Sequence, residues 1–229
     1  MTDRTPVKIQ KLFNSIAKNY DRNNDFISFF SHRIIKKFVV GMLPKSANTL
    51  KILDLCTGTG DIAKLLKNKY PHACIIGADF SVEMLNFARK KHPHITFQQA
   101  DCLNLPFEDN EFDIITISFG LRNTQDYELA LKEISRVLKP NGVFLHLDFE
   151  KKSKLADFVF FLLVKIIAIL QKNANYIYLL ETKREFPDVN TLIKMFAKYG
   201  LTLYKRKDFL LGIISAQMCR KNSSLPLDD

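Results

Sequence analysis

The feature that most constrains the fold is a short strand that leads into a glycine turn and then into a helix. Residues 52–55 are apolar apart from Asp54, a Gly-Thr-Gly turn occupies 58–60, and apolar residues recur at helical spacing after Asp61. The alternation continues, with predicted strands at 74–79, 95–100, 112–117 and 143–148 and predicted helices at 81–92 and 127–138. Alternating strands and helices indicate a parallel sheet with helices on both faces.

Segments at both ends of the chain complete this unit. Residues 8–40 predict two helical segments interrupted near residues 20–24, because the asparagines there disfavour a continuous helix. A predicted helix at 187–199 precedes two predicted strands, at 201–205 and 211–218, which we expect to pair as a hairpin at the sheet edge. The predicted fold class is therefore α/β, with a central, mostly parallel seven-stranded sheet, helices on both faces and an antiparallel edge strand.

The chain is predicted to form a single domain over residues 1–229, because 47% of it is hydrophobic and can bury a full core. Within it we expect an N-terminal helical cap at 1–46 and an apolar helical insertion at 151–180. The most apolar part of the insertion, 155–171, is too short to cross roughly 30 Å of bilayer hydrocarbon and contains Lys165. We expect either a buried or lid helix there, or a helix that meets a lipid-like substrate or the membrane interface.

The net charge limits the classes of partner that the protein could bind, and the cysteines indicate its cellular compartment. The formal net charge of +10 suits either a basic surface without a partner or a negatively charged partner, such as nucleic acid or an anionic membrane. Four cysteines without zinc-type spacing indicate buried free thiols in a reducing compartment and no metal site. The polar, charged N-terminus lacks the apolar stretch of a signal peptide, so we expect a cytoplasmic protein.

The candidate ligand-binding residues follow the first strands, because ligands of open α/β sheets bind beyond the carboxyl ends of the strands. The loop through Gly58 and Gly60 is neither a P-loop nor a complete dinucleotide fingerprint, which favours a nucleoside without phosphate. Asp79, after the second strand, is expected to accept hydrogen bonds from ribose hydroxyls, and Asp101 with Cys102, after the third, to read an adenine edge. The remaining expected contacts are Asp54 beside the glycine loop and Ser118 at the floor of the pocket.

A further set of motifs runs through nearly the whole chain, from about residue 13 to residue 218. The most specific is Ser-Phe-Gly-Leu-Arg-Asn at 118–123. The others include Tyr-Asp-Arg at 20–22, His-Arg at 32–33, Leu-Pro-Phe at 105–107, Val-Leu-Lys-Pro-Asn-Gly at 137–142 and Phe-Pro-Asp at 186–188. Together they resemble the ubiquinone/menaquinone biosynthesis C-methyltransferase family, which belongs to the Rossmann-like class I S-adenosylmethionine-dependent methyltransferases.

The chain departs from that family pattern at three places. Thr57 stands where many members have glycine, and Asn23 stands where methionine is common. Residues 210–216 are less glycine-rich than usual, and the histidine often found just after them is missing. The last two departures concern the substrate pocket rather than the cofactor site.

The resemblance implies that the chain uses S-adenosyl-L-methionine to methylate a ring carbon of a polyprenyl quinol. The acceptor would be demethylmenaquinol, 2-polyprenyl-6-methoxy-1,4-benzoquinol or both. On this reading the family's cofactor positions are Thr59, Asp79, Asp101, Cys102 and Ser118. Because the carbon becomes nucleophilic when a neighbouring hydroxyl loses its proton, a base or a base-activated water is expected. The candidate catalytic residues are Tyr20, His32 and Asp148, with Arg122 stabilising the phenolate or orienting a water.

Two alternatives stay open at the level of sequence. A class I methyltransferase that acts on another small molecule or on RNA would share the fold, although the basic residues are scattered and no nucleic-acid partner is expected. A non-catalytic subunit that binds the cofactor or a quinone agrees poorly with the intact glycine loop and acids. With a polyprenyl substrate we expect peripheral contact with anionic lipid on the inner face of the cytoplasmic membrane, and a homodimer as a further partner state.

Overall fold

A computed structural model describes residues 4–150, 158, 161–162, 164–165 and 175–223. Most of the predicted insertion at 151–180, including the apolar stretch 155–171, therefore lies outside the described residues, and the division into one domain stays a prediction. In the part of the chain that is described, no helix is both long enough and apolar enough to cross a membrane.

Seven strands form the central sheet. Their bounds are β1 Lys51–Leu55, β2 Cys74–Asp79, β3 Thr96–Gln99, β4 Phe112–Ser118, β5 Leu138–Phe149, β6 Leu201–Phe209 and β7 Ile214–Lys221. The strands lie in the order β3-β2-β1-β4-β5-β7-β6, and those from β3 to β5 pair in parallel. The order reverses between β1 and β4, so a crevice suited to a ligand is expected beyond their carboxyl ends.

The C-terminal hairpin forms one edge of the sheet, as predicted. β7 is the antiparallel strand and lies between β5 and β6, which is outermost. The prediction of a strand from residue 211 is wrong, because Leu210–Gly212 form a 3-10 turn in which Leu211 has a φ of 56°. The first apolar residues of the predicted strand instead form the turn that reverses the chain between β6 and β7.

Three helices and a 3-10 turn form the N-terminal segment. Their bounds are α1 Pro6–Ile16, a 3-10 turn at Ala17–Asn19, α2 Tyr20–Ser28 and α3 Ser31–Met42. The predicted interruption near residues 20–24 is wrong, because these residues lie inside α2. The chain turns instead at Phe29 and Phe30, whose φ values are 47° and 62°. This left-handed turn lets the Phe30 N–H donate to the Asp25 carbonyl, which ends the helix in a satisfied cap despite the cost for bulky side chains.

Five further helices are described from end to end, and they alternate with the strands or precede the hairpin. They are α4 Asp61–Lys69, α5 Val82–Lys91, α6 Tyr127–Val137, α7 Asn175–Glu185 and α8 Val189–Lys198. Ser81, Asp126 and Asp188 begin α5, α6 and α8 by accepting backbone N–H groups with their side chains. The predicted cap at Ser81 is thus confirmed, and the caps fix where each helix leaves the ligand-binding edge of the sheet.

Helices cover both faces of the sheet, as predicted. Along β1, Ile52 packs in one buried layer, while Leu53 and Leu55 pack in the other. Successive strand residues point to opposite faces, so a strand that is apolar throughout requires two covered faces. The two layers leave the carboxyl ends of β1, β2 and β4 as the place where polar side chains collect.

All four cysteines are free, as predicted. Cys219 is buried, and Cys56 and Cys102 are partly buried, but Cys74 is exposed. The expectation of buried thiols is therefore wrong at Cys74, because this residue is the first of β2 and lies where the strand enters the sheet.

Candidate active site

Two cavities lie at the carboxyl ends of the parallel strands. The first cavity is bounded by α1, the glycine loop and the loops after β2, β3 and β4. The second cavity is bounded by α2, α3, the turn at 210–212 and a 3-10 helix at Leu121–Asn123. The residues that line both cavities, and so mark their junction, are Tyr20, Cys56, Gly58, Ser118 and Phe119.

The glycine loop is tied to β2 by Asp79, which lines the first cavity. The Gly58 N–H donates to Asp79 Oδ2 over 2.8 Å, and the Ser81 N–H donates to Oδ1 over 2.9 Å. Gly58 has a φ of 56°, and a Cβ there would meet nothing closer than Tyr20 Cε1 at 3.8 Å. The loop therefore offers bare backbone at the junction of the cavities, where a ligand can approach closely. Burial raises the pKa of Asp79, while the backbone N–H groups oppose this rise.

The structure places Asp101, Cys102 and Ser118 on the wall of the first cavity. Asp101 Oδ1 accepts the N–H of Leu103 over 2.9 Å, which turns the loop after β3. The Ser118 hydroxyl is buried and has no hydrogen-bond partner in the described part of the chain. A buried polar group without a partner costs free energy, so this hydroxyl is suited to a contact with a bound molecule.

Asp54 lies beside the second cavity rather than the first. Its two oxygens accept hydrogen bonds from the hydroxyls of Thr57 and Thr116, each over 2.6 Å. Thr57, one of the departures from the family pattern, thus has a definite partner. Burial raises the pKa of Asp54 to about 6, although both hydroxyls favour the charged form.

Thr59 and Gly60 were both predicted at the cofactor and lie at different places in the loop. Thr59 lines the second cavity and donates to Asp21 Oδ1 over 2.5 Å. Gly60 precedes α4 with a φ of 85°, and a Cβ there would lie 2.8 Å from the Phe97 ring. Gly60 therefore shapes the turn and allows close packing behind it.

Tyr20 and His32, two of the candidate catalytic residues, both line the second cavity. Burial raises the pKa of Tyr20, so its hydroxyl stays protonated at neutral pH. Burial, followed by the nearby Lys36, lowers the pKa of His32 to about 4. Its neutral ring has Nδ1 2.6 Å from Ser28 Oγ. Both side chains are able to form hydrogen bonds with a bound ring, and His32 with this pKa is a weak base.

Arg122 lines the second cavity and forms a buried ion pair with Asp148. Its Nη1 donates to Asp148 Oδ1 and to the Phe119 carbonyl, each over 2.7 Å. The guanidinium also lies over the Phe149 ring, 5.0 Å from its centroid. Asp148 is 1% exposed and lies outside the described walls of both cavities. Arg122 is therefore the member of the pair that can contact a molecule in the second cavity, and Asp148 fixes the position of Arg122.

The contribution of α1 to the first cavity is not predicted by the sequence pattern. Gln10 Nε2 donates to the Phe80 carbonyl over 3.1 Å, and Asn14 Oδ1 accepts the Ser81 hydroxyl proton over 2.6 Å. Phe13 lines the cavity from the same helix. The helical spacing of this segment predicts that one face packs, but it does not specify the part of the sheet that this face covers.

The fold is that of the class I S-adenosylmethionine-dependent methyltransferases. An S-adenosylmethionine-dependent methyltransferase of Thermotoga maritima superposes with a TM-score of 0.68 and 20% identity, over 93% of this chain and 100% of that chain. The chain belongs to the ubiE/COQ5 methyltransferase family, whose family model matches residues 1–221.

Two relatives have names that include an activity. The chain is 36% identical to a demethylmenaquinone methyltransferase of Leptospira interrogans, over 94% of this chain and 93% of that protein. It is 35% identical to the ubiquinone/menaquinone biosynthesis C-methyltransferase UbiE of Hahella chejuensis, over 90% of this chain and 88% of that protein. The predicted family, fold class, enzyme class of C-methyltransferase and cofactor, S-adenosyl-L-methionine, are thereby confirmed.

The residues at the junction fit this cofactor. The Ser118 hydroxyl is buried there with no partner among the described residues, and Gly58 leaves the space that a side chain would fill. Asp79 adds a carboxylate on the wall of the first cavity. A nucleoside with hydroxyl groups and a positively charged sulfur matches these groups, whereas a phosphate would be repelled by the carboxylate.

Proposed function

We propose that this chain methylates a ring carbon of a polyprenyl quinol, either demethylmenaquinol, 2-polyprenyl-6-methoxy-1,4-benzoquinol or both, in menaquinone or ubiquinone biosynthesis. The observation that carries the proposal is the second cavity, which joins the first beside Ser118 and opens outward past Phe29 and Leu211. An aromatic head group fits the inner end, and an isoprenoid tail fits the apolar mouth. The names of the Leptospira and Hahella relatives support the same acceptor class.

The inner end of the second cavity offers both aromatic and cationic contacts to a quinol ring. The Phe119 and Phe149 rings lie 5.2 Å apart, and the Arg122 guanidinium lies 5.8 Å and 5.0 Å from their centroids. Arg122 Nε is buried without a hydrogen-bond partner in the described part of the chain. A ring hydroxyl directed toward Arg122 would find a donor and a positive charge there.

Each cofactor residue has a separate task in this proposal. S-adenosylmethionine, when bound, supplies an activated methyl group. Asp79 would accept hydrogen bonds from its ribose hydroxyls, Asp101 and Cys102 would contact the adenine, and Ser118 with Gly58 would hold the methionine part at the junction. The residues that shape the loop around these contacts are Asp54, Thr59 and Gly60.

The acceptor carbon becomes nucleophilic when the neighbouring hydroxyl is ionised. Arg122 stabilises the resulting phenolate, since a fixed positive charge in a buried site favours negative charge that develops beside it. Tyr20 stays protonated and therefore acts as a hydrogen-bond donor rather than as a base. His32, with a pKa of about 4, orients the ring or a water, and Asp148 positions Arg122.

The test is methyl transfer from labelled S-adenosylmethionine to reduced, short-tailed demethylated naphthoquinol and benzoquinol, with bulk RNA as a third acceptor. We expect label in a quinol, and the preferred ring identifies the natural acceptor. Asp79→Ala should abolish transfer, whereas Lys132→Ala, at an exposed position of α6, is the matched control. Label in RNA, or cofactor binding without transfer to either quinol, would overturn the proposed acceptor.

We also propose that the chain contacts an anionic membrane peripherally, on the inner face of the cytoplasmic membrane. The second cavity opens within an exposed apolar surface, the mouth patch, which consists of Phe29, Phe30, Ile34, Phe38, Leu210 and Leu211. The Phe38 and Phe209 rings lie 5.7 Å apart, so α3 and the turn at 210–212 belong to one surface. Lys37 on α3, and Lys205 and Lys207 on the strand that leads into the turn at 210–212, are exposed and would attract anionic lipid at about 1 kcal/mol each.

Flotation with vesicles of phosphatidylglycerol or of phosphatidylcholine tests this contact. The chain should float with the anionic vesicles at low salt, and Phe30→Ser/Ile34→Ser should lose that binding. Leu129→Ser, which changes an exposed apolar residue on α6, is the matched control. Absence of binding to either vesicle would refute membrane contact, and light scattering that shows a dimer dissociated by Phe30→Ser/Ile34→Ser would assign the mouth patch to a second copy instead.

A further inference from the structure

Side-chain hydrogen bonds form a chain that runs from β6, across β7, to β5. Ser215 Oγ donates to Asp208 Oδ1 over 2.8 Å and accepts from Gln217 Nε2 over 2.8 Å. Gln217 Oε1 lies 2.6 Å from Nδ1 of His146, the residue opposite it on β5. His146 and Gln217 are each 1% exposed, so the chain ends in the core.

The direction of these hydrogen bonds determines the tautomer of His146. The Ser215 hydroxyl has one proton, which it donates to the carboxylate of Asp208, so it must accept a proton from Gln217. Gln217 therefore turns its amide nitrogen toward Ser215 and its carbonyl toward His146. Because a carbonyl only accepts, His146 Nδ1 carries a proton, and Nε2 of the neutral ring is a bare acceptor.

His146 Nε2 faces Asp148 Oδ2 at 4.0 Å. Neither atom has a hydrogen-bond partner among the described residues, and both are buried. The other oxygen, Oδ1, accepts from Arg122 Nη1 over 2.7 Å and from the Phe149 N–H over 2.8 Å. Two buried acceptors that face each other repel unless a proton lies between them, so the pair is poised to take one up.

Among the described residues, Asp148 and Arg122 are the charged groups that act on His146. Gln217 contacts the ring from β7 and is neutral, while Phe186, which follows α7, and Phe196 of α8 have their ring centroids at 6.1 Å and 5.5 Å. Burial lowers the pKa of His146, Asp148 opposes this, and Arg122 adds to it. The ring is therefore neutral at neutral pH unless negative charge is added nearby or positive charge is removed.

We propose that His146 is a positioning residue for the Arg122–Asp148 pair, and that it shares a proton between its Nε2 and Asp148 Oδ2 when the acceptor ionises. This inference rests on the proposed quinol acceptor. Asp148 offsets part of the positive charge of Arg122, so the pair stabilises a phenolate less than an unpaired cation at the same place would. A proton taken up at His146 gives the group of three a net positive charge, which favours the phenolate beside Arg122.

The proton balance of the reaction agrees with this role. Methylation forms a bond between the ring carbon and the methyl carbon, and the electron pair of the broken methyl–sulfur bond stays on sulfur. The hydroxyl proton leaves when the acceptor ionises, and the hydrogen on the methylated carbon then leaves as a proton while the ring oxygen is protonated again, so one proton is lost in each turnover. Asp148 lies between Arg122 and His146 and contacts both. His146 thus offers a buried site for a proton that balances the negative charge of the phenolate.

The first test is the pH profile of kcat for quinol methylation by wild type and His146→Gln. Glutamine keeps hydrogen-bonding groups near the ring position but does not titrate. We expect the acidic limb to move to higher pH in the variant, with kcat about tenfold lower at about pH 6, which corresponds to one pKa unit. At about pH 9 the two should agree within roughly twofold, and KM for S-adenosylmethionine should be unchanged. His72→Gln, at an exposed turn, is the matched control.

The second test is the ¹⁵N spectrum of the histidine rings in the wild-type chain, which needs no activity and no folded variant. We expect His146 to show a protonated Nδ1 and a bare Nε2 at high pH. Coincident pH profiles for wild type and His146→Gln, or a neutral ring protonated at Nε2, would overturn the inference. Failure of the wild type to methylate any quinol would instead refute the proposed function, and the ring spectrum would still decide the tautomer.

Discussion

Arg122 and Asp148 are joined by a hydrogen bond of 2.7 Å between Nη1 and Oδ1, with both side chains buried at the end of the second cavity. A buried charge pair contributes little net stability when intact, but removal of one partner leaves the other charge unpaired. The geometry indicates a site in which a cation is held at a fixed place and orientation. Two consequences follow for substitutions at Arg122.

The first prediction concerns turnover and stability at Arg122. Arg122→Lys keeps the charge but loses the planar guanidinium, whose Nη1 donates to both Asp148 and the Phe119 carbonyl while the group lies over the Phe149 ring. We expect kcat to fall by about 100-fold, as for loss of a fixed donor beside a developing anion, with a normal unfolding curve. Arg122→Ala should also destabilise the fold by about 3 kcal/mol because Asp148 is left unpaired. Normal turnover in a folded Arg122→Ala variant would show that the assigned role is wrong.

The second prediction concerns the pH dependence of stability at Asp54. Burial raises its pKa to about 6, above the ordinary value of 3.8, so the folded state holds its proton more tightly than the unfolded state. The free energy of unfolding should therefore fall as pH rises from about 4 to about 6, by roughly 3 kcal/mol for two pKa units. In urea unfolding, the free energy of unfolding of Asp54→Asn minus that of wild type should therefore increase by roughly 3 kcal/mol between about pH 4 and about pH 6.

Asp61→Asn is the control for Asp54, because the shift at Asp61 has the opposite sign. Burial would raise the pKa of Asp61, but Lys36 and Lys91 outweigh it and lower the pKa to about 2. Its contribution to stability is lost only as pH falls from about 4 toward about 2, so the difference between Asp61→Asn and wild type should stay constant from pH 4 to pH 7. A constant difference for Asp54→Asn as well would contradict the raised pKa of Asp54.

The third prediction concerns the cofactor and Gly58. Alanine at Gly58 must keep a φ of 56°, which costs about 1 kcal/mol, and its methyl group would enter the junction of the cavities. We expect calorimetry to show binding of S-adenosylhomocysteine weakened by at least about tenfold. Gly41→Ala is the matched control, since Gly41 lies inside α3 and a Cβ there meets nothing within 4 Å. Unchanged affinity in Gly58→Ala would place the cofactor away from this loop.

Much of the fold was predictable because local and global signals agree. The same parallel sheet is specified by the glycine turn after β1, the cap at Ser81 and the alternation of apolar strands with helices. The place of Asp79 at the cavity was predictable because the residue ends β2. The strand-end wall of the first cavity was predictable for the same reason, whereas the wall formed by α1 was not. Topology brings strand ends together without reference to side-chain detail.

The second cavity was less predictable because it depends on backbone turns with unusual φ values. Phe29, Phe30, Leu210 and Leu211 all adopt left-handed conformations, and bulky apolar residues give no sequence signal for such turns. The link between His146 and Gln217 was also missed, since the pairing of β5 with β7 depends on the register of strands distant in sequence. The contact between Thr59 and Asp21 could not be predicted without knowing that residues 20–28 form one helix, α2. The predicted interruption near residues 20–24 excluded such a helix.

The fourth prediction concerns Leu211, which is 90% exposed and has a φ of 56° in the turn at the mouth of the second cavity. An exposed leucine in this conformation is strained and buries little apolar surface within the fold, so Leu211→Gly should leave the melting temperature unchanged or raise it by a few degrees. The same change removes an apolar side chain from the mouth patch. We therefore expect weaker flotation with phosphatidylglycerol vesicles and a higher KM for a long-tailed quinol than for a short-tailed one. A lower melting temperature with unchanged vesicle binding would show instead that Leu211 serves the fold and not the membrane.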